Sequence, residues 1–240
     1  TSEAWQALAQ VLQAHLELTD PGAQLLEGPG PGTFHVAYPL PRTPLVSIII
    51  PTRDQLPFLS RCVESLLSRT DYPAFELLVV DNDSETPEAR EFLAGLNALG
   101  TEQIRVLQAP DTFNLSRINN LAIAQARGEF VLLLNHQTAA LQSDWLGHLM
   151  RHALRDGVGV VGARLVYPDG KLQHAGLVMG LRGPAQHPGL GLESTDPGYL
   201  FRAQLAQNFS AVSGACLLVS KALYEELGGL DETTLGAAYN

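Results

Sequence analysis

The sequence has few cationic side chains, few cysteines and no long apolar run, and each shortage excludes a class of protein. Lys and Arg number 15 against 25 Asp and Glu, and the formal net charge of -10 excludes a nucleic-acid-binding surface, which needs clustered cations. No apolar stretch is long enough to span a bilayer. The two cysteines, Cys62 and Cys216, lie far apart in apolar segments, which favours buried thiols of a cytoplasmic protein over a disulfide.

Apolar residues, by contrast, make up 45% of the 240 positions and occur in short periodic segments. The run from Val46 to Ile50 is rich in β-branched residues and ends at Pro51, which is typical of a strand buried on both faces. From Leu56 to Leu67, apolar residues recur at spacings of three and four and predict a helix. Phe75 to Val80 is a second buried strand, so the three segments form a βαβ unit with parallel strands.

The rest of the chain continues this alternation. Further helices are predicted at residues 86–99, 114–127, 145–154 and 221–227, and further strands at 104–107, 129–134, 158–161 and 211–219. A tight turn predicts a hairpin of residues 164–166 with 172–174. We therefore expect an α/β fold, a mostly parallel sheet with helices on both faces, plus a small antiparallel hairpin region.

Composition divides the chain near residue 43. Residues 3–18 predict a helix, and residues 20–43 are rich in Pro and Gly, as linkers are. The sequence thus predicts an N-terminal helix and linker over residues 1–43 and one main domain over residues 44–240. Within that domain, residues 180–200 lack periodicity and predict a mobile loop, in which His187 and Asp196 are expected as solvated residues.

Polar side chains follow the two strands of the βαβ unit. Thr52 and Asp54 come after the first strand, and Asp81 and Asp83 end the second. The carboxyl ends of parallel strands meet at one end of the sheet, where ligands of open α/β sheets bind. The sequence therefore predicts a ligand site around these four residues.

Five motifs occur in order along the chain. They are Ser47-Ile48-Ile49-Ile50-Pro51-Thr52-Arg53-Asp54, Val79-Val80-Asp81-Asn82-Asp83-Ser84, Asn114-Leu115-Ser116-Arg117-Ile118-Asn119-Asn120 with Ala126-Arg127-Gly128-Glu129, Ser213-Gly214-Ala215-Cys216, and Gly228-Gly229-Leu230-Asp231-Glu232. Together they resemble the motifs of the inverting family 2 glycosyltransferases, which have the Rossmann-like GT-A fold. The resemblance covers about residues 44–240, and the most similar subgroup is the bacterial enzymes of rhamnan or O-antigen synthesis.

The resemblance implies a nucleotide-sugar site at these residues. Thr52 and Asp54 would bond ribose and base, and the Asp81 carboxylate would accept the imide N–H of uracil or thymine. The remaining candidates for this site are Asp83, Asn114, Asn119, Asn135 and Gln137. The alternatives stay open for three of them: Asp83 and Asn114 are also good helix caps, and Asn119 also fits a structural role inside its helix.

The same resemblance implies an acceptor side at Ser213, Gly214, Asp231 and Glu232. Inversion needs a general base for the acceptor hydroxyl, and in the family this carboxylate comes just beyond the position of Asn240. We therefore expect this chain to be a C-terminally truncated piece that lacks its catalytic base.

One motif departs from the family. Where a DXD-type motif would hold Mg²⁺ or Mn²⁺ on the donor diphosphate, this chain has Asn135-His136-Gln137. Hard cations prefer carboxylate oxygens, whereas the His136 imidazole suits a softer metal such as Mn²⁺, Zn²⁺ or Ni²⁺, so His136 is a weak metal candidate and the divalent cofactor is in doubt. Arg117, Arg164 or a cation held mainly by the nucleotide are alternatives for meeting the diphosphate's charge.

Two function hypotheses follow. The first is a glycosyltransferase that moves a hexosyl group from a UDP- or dTDP-sugar to a glycan or lipid-linked acceptor, in the cytoplasm or at the inner face of the membrane. The alternative is a non-catalytic glycosyltransferase-like module that binds a nucleotide or a glycan. A nucleotidyltransferase and a dehydrogenase are excluded, because Thr52-Arg53-Asp54-Gln55 is neither a basic Gly-rich phosphate loop nor G-x-G-x-x-G.

Overall fold

The computed structural model describes residues 2–110, 112–181 and 183–235. The helices are α1 (Ser2–Thr19), α2 (Leu56–Ser68), α3 (Pro87–Ala98), α4 (Leu115–Gln125), α5 (Trp145–Ala153) and α6 (Lys221–Glu226). The strands are β1 (Gln24–Glu27), β2 (Phe34–Ala37), β3 (Val46–Thr52), β4 (Phe75–Asp81), β5 (Ile104–Gln108), β6 (Phe130–Leu134), β7 (Val160–Gly162), β8 (Leu165–Val166), β9 (Leu172–His174), β10 (Val178–Met179), β11 (Ala185–Gln186) and β12 (Cys216–Ser220). Of the described helices, none combines the length and the apolar character that crossing a bilayer requires.

Two compact units share the chain. The sheet unit consists of residues 42–161 and 214–240, and the hairpin unit consists of residues 1–41 and 162–213. Each unit therefore combines two separate stretches of sequence.

A six-stranded sheet in the order β5-β4-β3-β6-β12-β7 organises the sheet unit. Strand β3 pairs in parallel with β4 and β6, and β4 pairs in parallel with β5. Strand β12 runs antiparallel to β6. The predicted mostly parallel α/β sheet is thereby confirmed.

Helices on the faces of this sheet explain its apolar strands. Residues 46–50 and 75–81 are buried without alternation, because both faces of β3 and β4 are covered. On one face α4 contributes Ile118, Ala122 and Ile123 to a cluster with core residues of β3, β4, β6 and β12. These strands are held rigidly from both sides, so they fix the loops that follow their carboxyl ends.

A buried ion network holds the amino end of the sheet. Glu76 is 1% exposed, and its Oε1 accepts from Ser47 Oγ at 2.6 Å and from Arg127 N at 2.8 Å. Its Oε2 accepts from Arg127 Nε at 2.9 Å and from Arg105 Nη2 at 3.1 Å, and Ser47 Oγ accepts from Gly128 N at 2.9 Å. Burial raises the pKa of Glu76, but these bonds and the Arg105 charge outweigh it and leave that pKa below its ordinary value.

The backbone of Gly128 lies so close to the start of β3 that this position must be a glycine. A Cβ on Gly128 would lie 2.6 Å from Ser47 N and 2.8 Å from Leu45 O, so no side chain fits there. The motif Ala126-Arg127-Gly128-Glu129, which resembles a family signature, therefore has a structural explanation at the amino end of β3.

The Pro/Gly-rich segment 20–43 contains an antiparallel hairpin. Strand β1 pairs with β2, with Gln24 opposite Ala37 and Glu27 opposite Phe34. Gly28 N donates to Thr33 O at 3.0 Å, and Thr33 N donates to Gly30 O at 3.1 Å. The glycines and prolines of residues 28–32 form the turn between two short strands that periodicity alone did not predict.

The remaining hairpins also lie in the hairpin unit. The predicted hairpin is confirmed as β8 with β9. Strand β11, inside the region predicted as a loop, pairs with β10, which ends just before that region. The expectation that His187 is a solvated loop residue is wrong: its Nδ1 lies 2.9 Å from Nδ1 of buried His174. Since His174 Nε2 accepts from Ser213 N at 3.2 Å, this pair ties three segments together.

Candidate functional site

The carboxyl ends of β3 and β4 lie side by side. Thr52 and Asp81 are register partners, and both are buried, at 4% and 6% exposed. Asn82 N donates to Thr52 O at 2.9 Å and continues the pairing one residue further. The parallel register therefore brings a hydroxyl and a carboxylate together, as the sequence predicted.

Asp81 presents a partly anchored carboxylate. Its Oδ1 accepts from Ser84 N at 3.0 Å, which closes the turn after β4. Its Oδ2 makes no hydrogen bond within the described ranges of the chain. An anchored carboxylate with one oxygen left over is an acceptor for a ligand N–H.

Asp54 joins the two loops. It has a φ of 57°, and its Oδ1 accepts from Glu85 N and Thr86 N, both at 2.8 Å, and from Thr86 Oγ1 at 3.0 Å. Asp54 N in turn donates to Ser84 Oγ at 2.9 Å. The bond from Thr86 N is the largest influence on the pKa of Asp54, which lies below its ordinary value. The left-handed backbone and the bonds at the start of α3 show a residue that fixes loop geometry.

Asp83 and Gln55 show the same backbone strain at this end of the sheet. Their φ values are 61° and 31°, a region that L-residues other than Asn and Asp seldom adopt. The Asp83 side chain is exposed. Strained residues of this kind cluster where a backbone is shaped for a ligand.

Several buried polar atoms of the sheet unit lack partners among the described residues. Of the predicted site residues, Thr52 Oγ1, Asn119 Oδ1 and His136 Nε2 make no hydrogen bond to any residue that the structure describes. Leaving a buried polar atom unpaired costs about 1–3 kcal/mol. A bound ligand is one explanation for such atoms.

Asn114 is the N-cap of α4, so the capping alternative is confirmed for it. Its Oδ1 accepts from Arg117 N at 3.0 Å. Its Nδ2 donates to Glu232 O at 2.8 Å. Asn114 therefore fixes the predicted acceptor-side segment to the start of α4.

Asn120 completes this clamp, and the sequence had not singled it out. Its Oδ1 accepts from Tyr224 Oη at 2.5 Å and from Leu230 N at 3.0 Å. Its Nδ2 donates to Leu230 O at 2.9 Å and to Glu232 Oε1 at 2.7 Å. A Cβ on Gly229 would lie 2.7 Å from Asn120 Oδ1, which explains the glycine before this segment.

Of the other acceptor-side candidates, Asp231 caps a turn. Its Oδ1 accepts from Thr233 N at 2.8 Å and from Thr234 N at 2.9 Å. These bonds, the one from Thr234 N first, hold the pKa of Asp231 well below its usual range. Ser213 belongs to the hairpin unit and Gly214 to the sheet unit. Asn240, beyond which the general base is expected, lies outside the described residues.

The turn after β6 carries no charge of its own. Asn135 Oδ1 accepts from Gln137 N at 2.8 Å, and Asn135 O accepts from Thr138 N at 2.9 Å. His136 Nδ1 lies 3.0 Å from Pro51 O, so this nitrogen carries a proton and donates it to the carbonyl oxygen. Burial lowers the pKa of His136, more than the Pro51 bond raises it. The Gln137 side chain is an exposed, neutral amide.

These donors do not fit Mg²⁺ or Mn²⁺. The turn offers two amides and an imidazole, whereas Mg²⁺ beside substrate phosphates is usually held by one or two protein carboxylates. Asn135 Oδ1 is already used by the turn itself. Across residues 2–110, 112–181 and 183–235, no three His, Cys, Asp or Glu side chains are grouped as a metal site requires.

The family comparison gives one match that covers most of the chain. The model described as glycosyl transferase family 2 matches residues 47–228. Uncharacterized protein y4gI of Sinorhizobium fredii is 43% identical over 236 residues, which are 98% of this chain and 26% of that protein. The O-antigen biosynthesis protein RfbC of Myxococcus xanthus is 37% identical over 233 residues, 95% of this chain and 18% of that protein. The chain thus spans about a quarter or less of the length of these relatives.

Solved structures share the fold. The mannosyltransferase PcManGT of Pyrobaculum calidifontis, in complex with GDP-Man and Mn²⁺, has a TM-score of 0.58, 16% identity, and coverage of 98% of this chain and 58% of its own. GalNAc-T7 with UDP, GalNAc and Mn²⁺ has a TM-score of 0.63, 16% identity, and coverage of 82% and 39%. These likenesses confirm the GT-A fold.

Proposed function

The chain belongs to glycosyl transferase family 2, and on that premise we propose that it moves a hexosyl group from a UDP- or dTDP-sugar to a glycan or lipid-linked acceptor in cell-surface polysaccharide synthesis. The name of RfbC supports the polysaccharide context. We place the reaction in the cytoplasm, at the inner face of the membrane, where nucleotide sugars are available.

The proposed transfer inverts the anomeric centre. The acceptor hydroxyl oxygen bonds to the anomeric carbon while the bond from that carbon to the diphosphate oxygen breaks. The nucleoside diphosphate leaves with the bonding electron pair, and a base takes the hydroxyl proton. Attack from the face opposite the leaving group gives inversion.

Asp81 carries the proposal for the donor site. The carboxylate is 6% exposed, Ser84 N fixes one of its oxygens, and its register partner is Thr52. Uracil and thymine present an imide N–H that this carboxylate can accept, whereas cytosine presents only a lone pair at the same ring position. The site should therefore distinguish UDP from CDP.

Calorimetric titration with UDP, dTDP and CDP tests this assignment. We expect UDP and dTDP to bind at least about tenfold more tightly than CDP, since a missing hydrogen bond to a charged group costs about 1.5–3 kcal/mol. Asp81→Ala should abolish the difference, and Glu91→Ala, the same charge change at an exposed position of α3, should preserve it. Equal binding of UDP and CDP by the unaltered chain would contradict the role of Asp81.

The turn Asn135-His136-Gln137 favours a second candidate, a non-catalytic module that binds the nucleotide and transfers nothing. In the family that the chain resembles, a metal ion at this turn binds the diphosphate leaving group. The neutral side chains of this turn do not form such a metal site. The two candidates differ in donor turnover. Because the chain spans about a quarter or less of the length of its relatives, the assay uses the full-length protein. Release of UDP from UDP-hexoses in the presence of glycan acceptors supports the transferase, and tight UDP binding without release supports the module.

A further inference from the structure

The diphosphate of a nucleotide sugar needs positive charge, and the turn after β6 supplies none. His136 is neutral and Asn135 and Gln137 are amides. Any compensating charge at this turn must come from a neighbouring element. In proteins the cation that pairs best with phosphate oxygens, other than a metal ion, is the arginine guanidinium.

Arg61 of α2 reaches this turn. Its Nη2 lies 3.4 Å from Gln137 O, at the limit of a hydrogen bond, so little is lost when the guanidinium turns to a better acceptor. The Arg61 side chain is exposed, and in the described part of the chain no carboxylate lies within ion-pair distance of it.

Three other arginines are already engaged. Arg53 Nη2 pairs with Glu85 Oε1 at 2.7 Å. Arg90 Nε donates to Ser84 O at 2.7 Å. Arg164, which the sequence suggested for this role, donates to Ala203 O at 2.8 Å and to Ser194 O at 2.6 Å within the hairpin unit. Arg117, which the sequence also suggested, makes a contact of its own. The Arg61 contact, at 3.4 Å, is longer than those of Arg53, Arg90 and Arg164.

We propose that Arg61 donates to the diphosphate of the bound nucleotide at the Asn135–Gln137 turn, and that nucleotide binding to this chain requires no divalent cation. This inference rests on the proposed donor site. A guanidinium offers two parallel N–H donors to phosphate oxygens, which a lysine ammonium does not. Arg61 thus supplies by hydrogen bonds and charge what the absent carboxylates cannot supply through a metal.

Calorimetric titration of the whole chain with uridine, UMP and UDP, in EDTA and again in Mn²⁺, tests the proposal. We expect the UDP dissociation constant to agree within about twofold between the two conditions. Arg61→Ala should weaken UDP binding at least about tenfold and leave uridine binding unchanged. Arg61→Lys should recover part of the loss, because it keeps the charge without the fork.

Arg69→Ala is the matched control, since it removes an exposed arginine just after the same helix. It should leave UDP binding within about twofold, which separates a contact at the turn from a general loss of positive charge. Equal weakening by Arg61→Ala and Arg69→Ala would overturn the proposal. The thermal unfolding temperature of each variant should match that of the unaltered chain, which shows that the substitution has not disrupted the fold.

Restoring a carboxylate provides the converse test. In Gln137→Asp we expect UDP binding to become tighter with Mn²⁺, and the electron paramagnetic resonance spectrum of Mn²⁺ to show protein-bound metal only when UDP is present. Tighter UDP binding with Mn²⁺ in the unaltered chain would overturn metal independence and leave the donor site intact. Absence of UDP and dTDP binding under all conditions would overturn the donor site and this inference with it.

Discussion

Strands β3 and β4 carry the same chemical pair twice, once at each end. At the amino end Ser47 is the register partner of Glu76, and at the carboxyl end Thr52 is the register partner of Asp81. All four side chains are buried. Ser47 Oγ donates to Glu76 and accepts from Gly128 N, and Glu76 also accepts from Arg127. Thr52 Oγ1, by contrast, has no partner in the described chain.

The two ends differ in whether the fold itself satisfies the same kinds of group, and we base the proposed ligand site on that difference. Buried hydroxyls and carboxylates stabilise a fold only when the fold itself satisfies them. At the amino end the guanidiniums of Arg105 and Arg127 do so, although Arg105 Nε itself has no partner among the described residues. At the carboxyl end Thr52 Oγ1 has no partner among the described residues, and Asp54 and Asp83 have left-handed backbones, which is why we propose a donor site there.

Removing the centre of the amino-end network should have the largest effect. Glu76→Ala leaves Ser47, Arg105 and Arg127 without their shared acceptor, and we expect a loss of roughly 3 kcal/mol in the free energy of unfolding, measured in urea. Glu102→Ala removes a carboxylate that is 95% exposed and also faces Arg127, so it should cost less than about 1 kcal/mol.

The effect of Glu76→Ala on the free energy of unfolding should also depend on pH. The pKa of Glu76 is lowered in the folded chain, so its stabilisation is present above the ordinary glutamate pKa and is lost as pH falls through the folded value. The unfolding free energies of the unaltered chain and of Glu76→Ala should therefore converge in acid. A difference that stays constant with pH would mean that the ionised carboxylate does not hold this end together.

Ser47→Ala should have a smaller effect of the same sign. The hydroxyl donates to Glu76 Oε1 and accepts from Gly128 N, both inside the core, so we expect a loss of about 2 kcal/mol. Ser68→Ala, which removes an exposed hydroxyl bonded to Glu64 O within α2, is the control and should lie within about 0.5 kcal/mol. UDP binding should be unchanged in both variants.

Sequence patterns predicted where the strands end better than they predicted which contacts the polar side chains at each end make. The burial of residues 46–50 and the position of Asp81 at the end of β4 follow from the local pattern of apolar residues. That pattern lies entirely within each strand. The role of Glu76 depends on Arg105 and Arg127, which lie 29 and 51 residues away. A lone charge in an apolar strand was a signal for such a network, but its partners became visible only in three dimensions.

The candidate site shows the same limit. The motif order identified Thr52, Asp54 and Asp81 as neighbours at one end of the sheet. Two other contacts could not be predicted in this way: Asp54 Oδ1 accepts hydrogen bonds from the start of α3, and Arg61 contacts Gln137 O. Both depend on how loops and helices pack together in three dimensions. An arginine on the exposed face of a helix has no local pattern that sets it apart from others.

Thr52→Val should change stability least and is the most direct comparison with Ser47→Ala on the same strand. Valine keeps the shape of threonine and removes a buried hydroxyl that has no described partner, so the free energy of unfolding should stay the same or rise by up to about 1 kcal/mol. UDP binding, by contrast, should weaken several-fold, because the ligand would lose the hydroxyl. A loss of stability equal to that of Ser47→Ala, with UDP binding unchanged, would show that both ends of the strand serve the fold alone, and the contrast between them would then no longer support a donor site at Thr52.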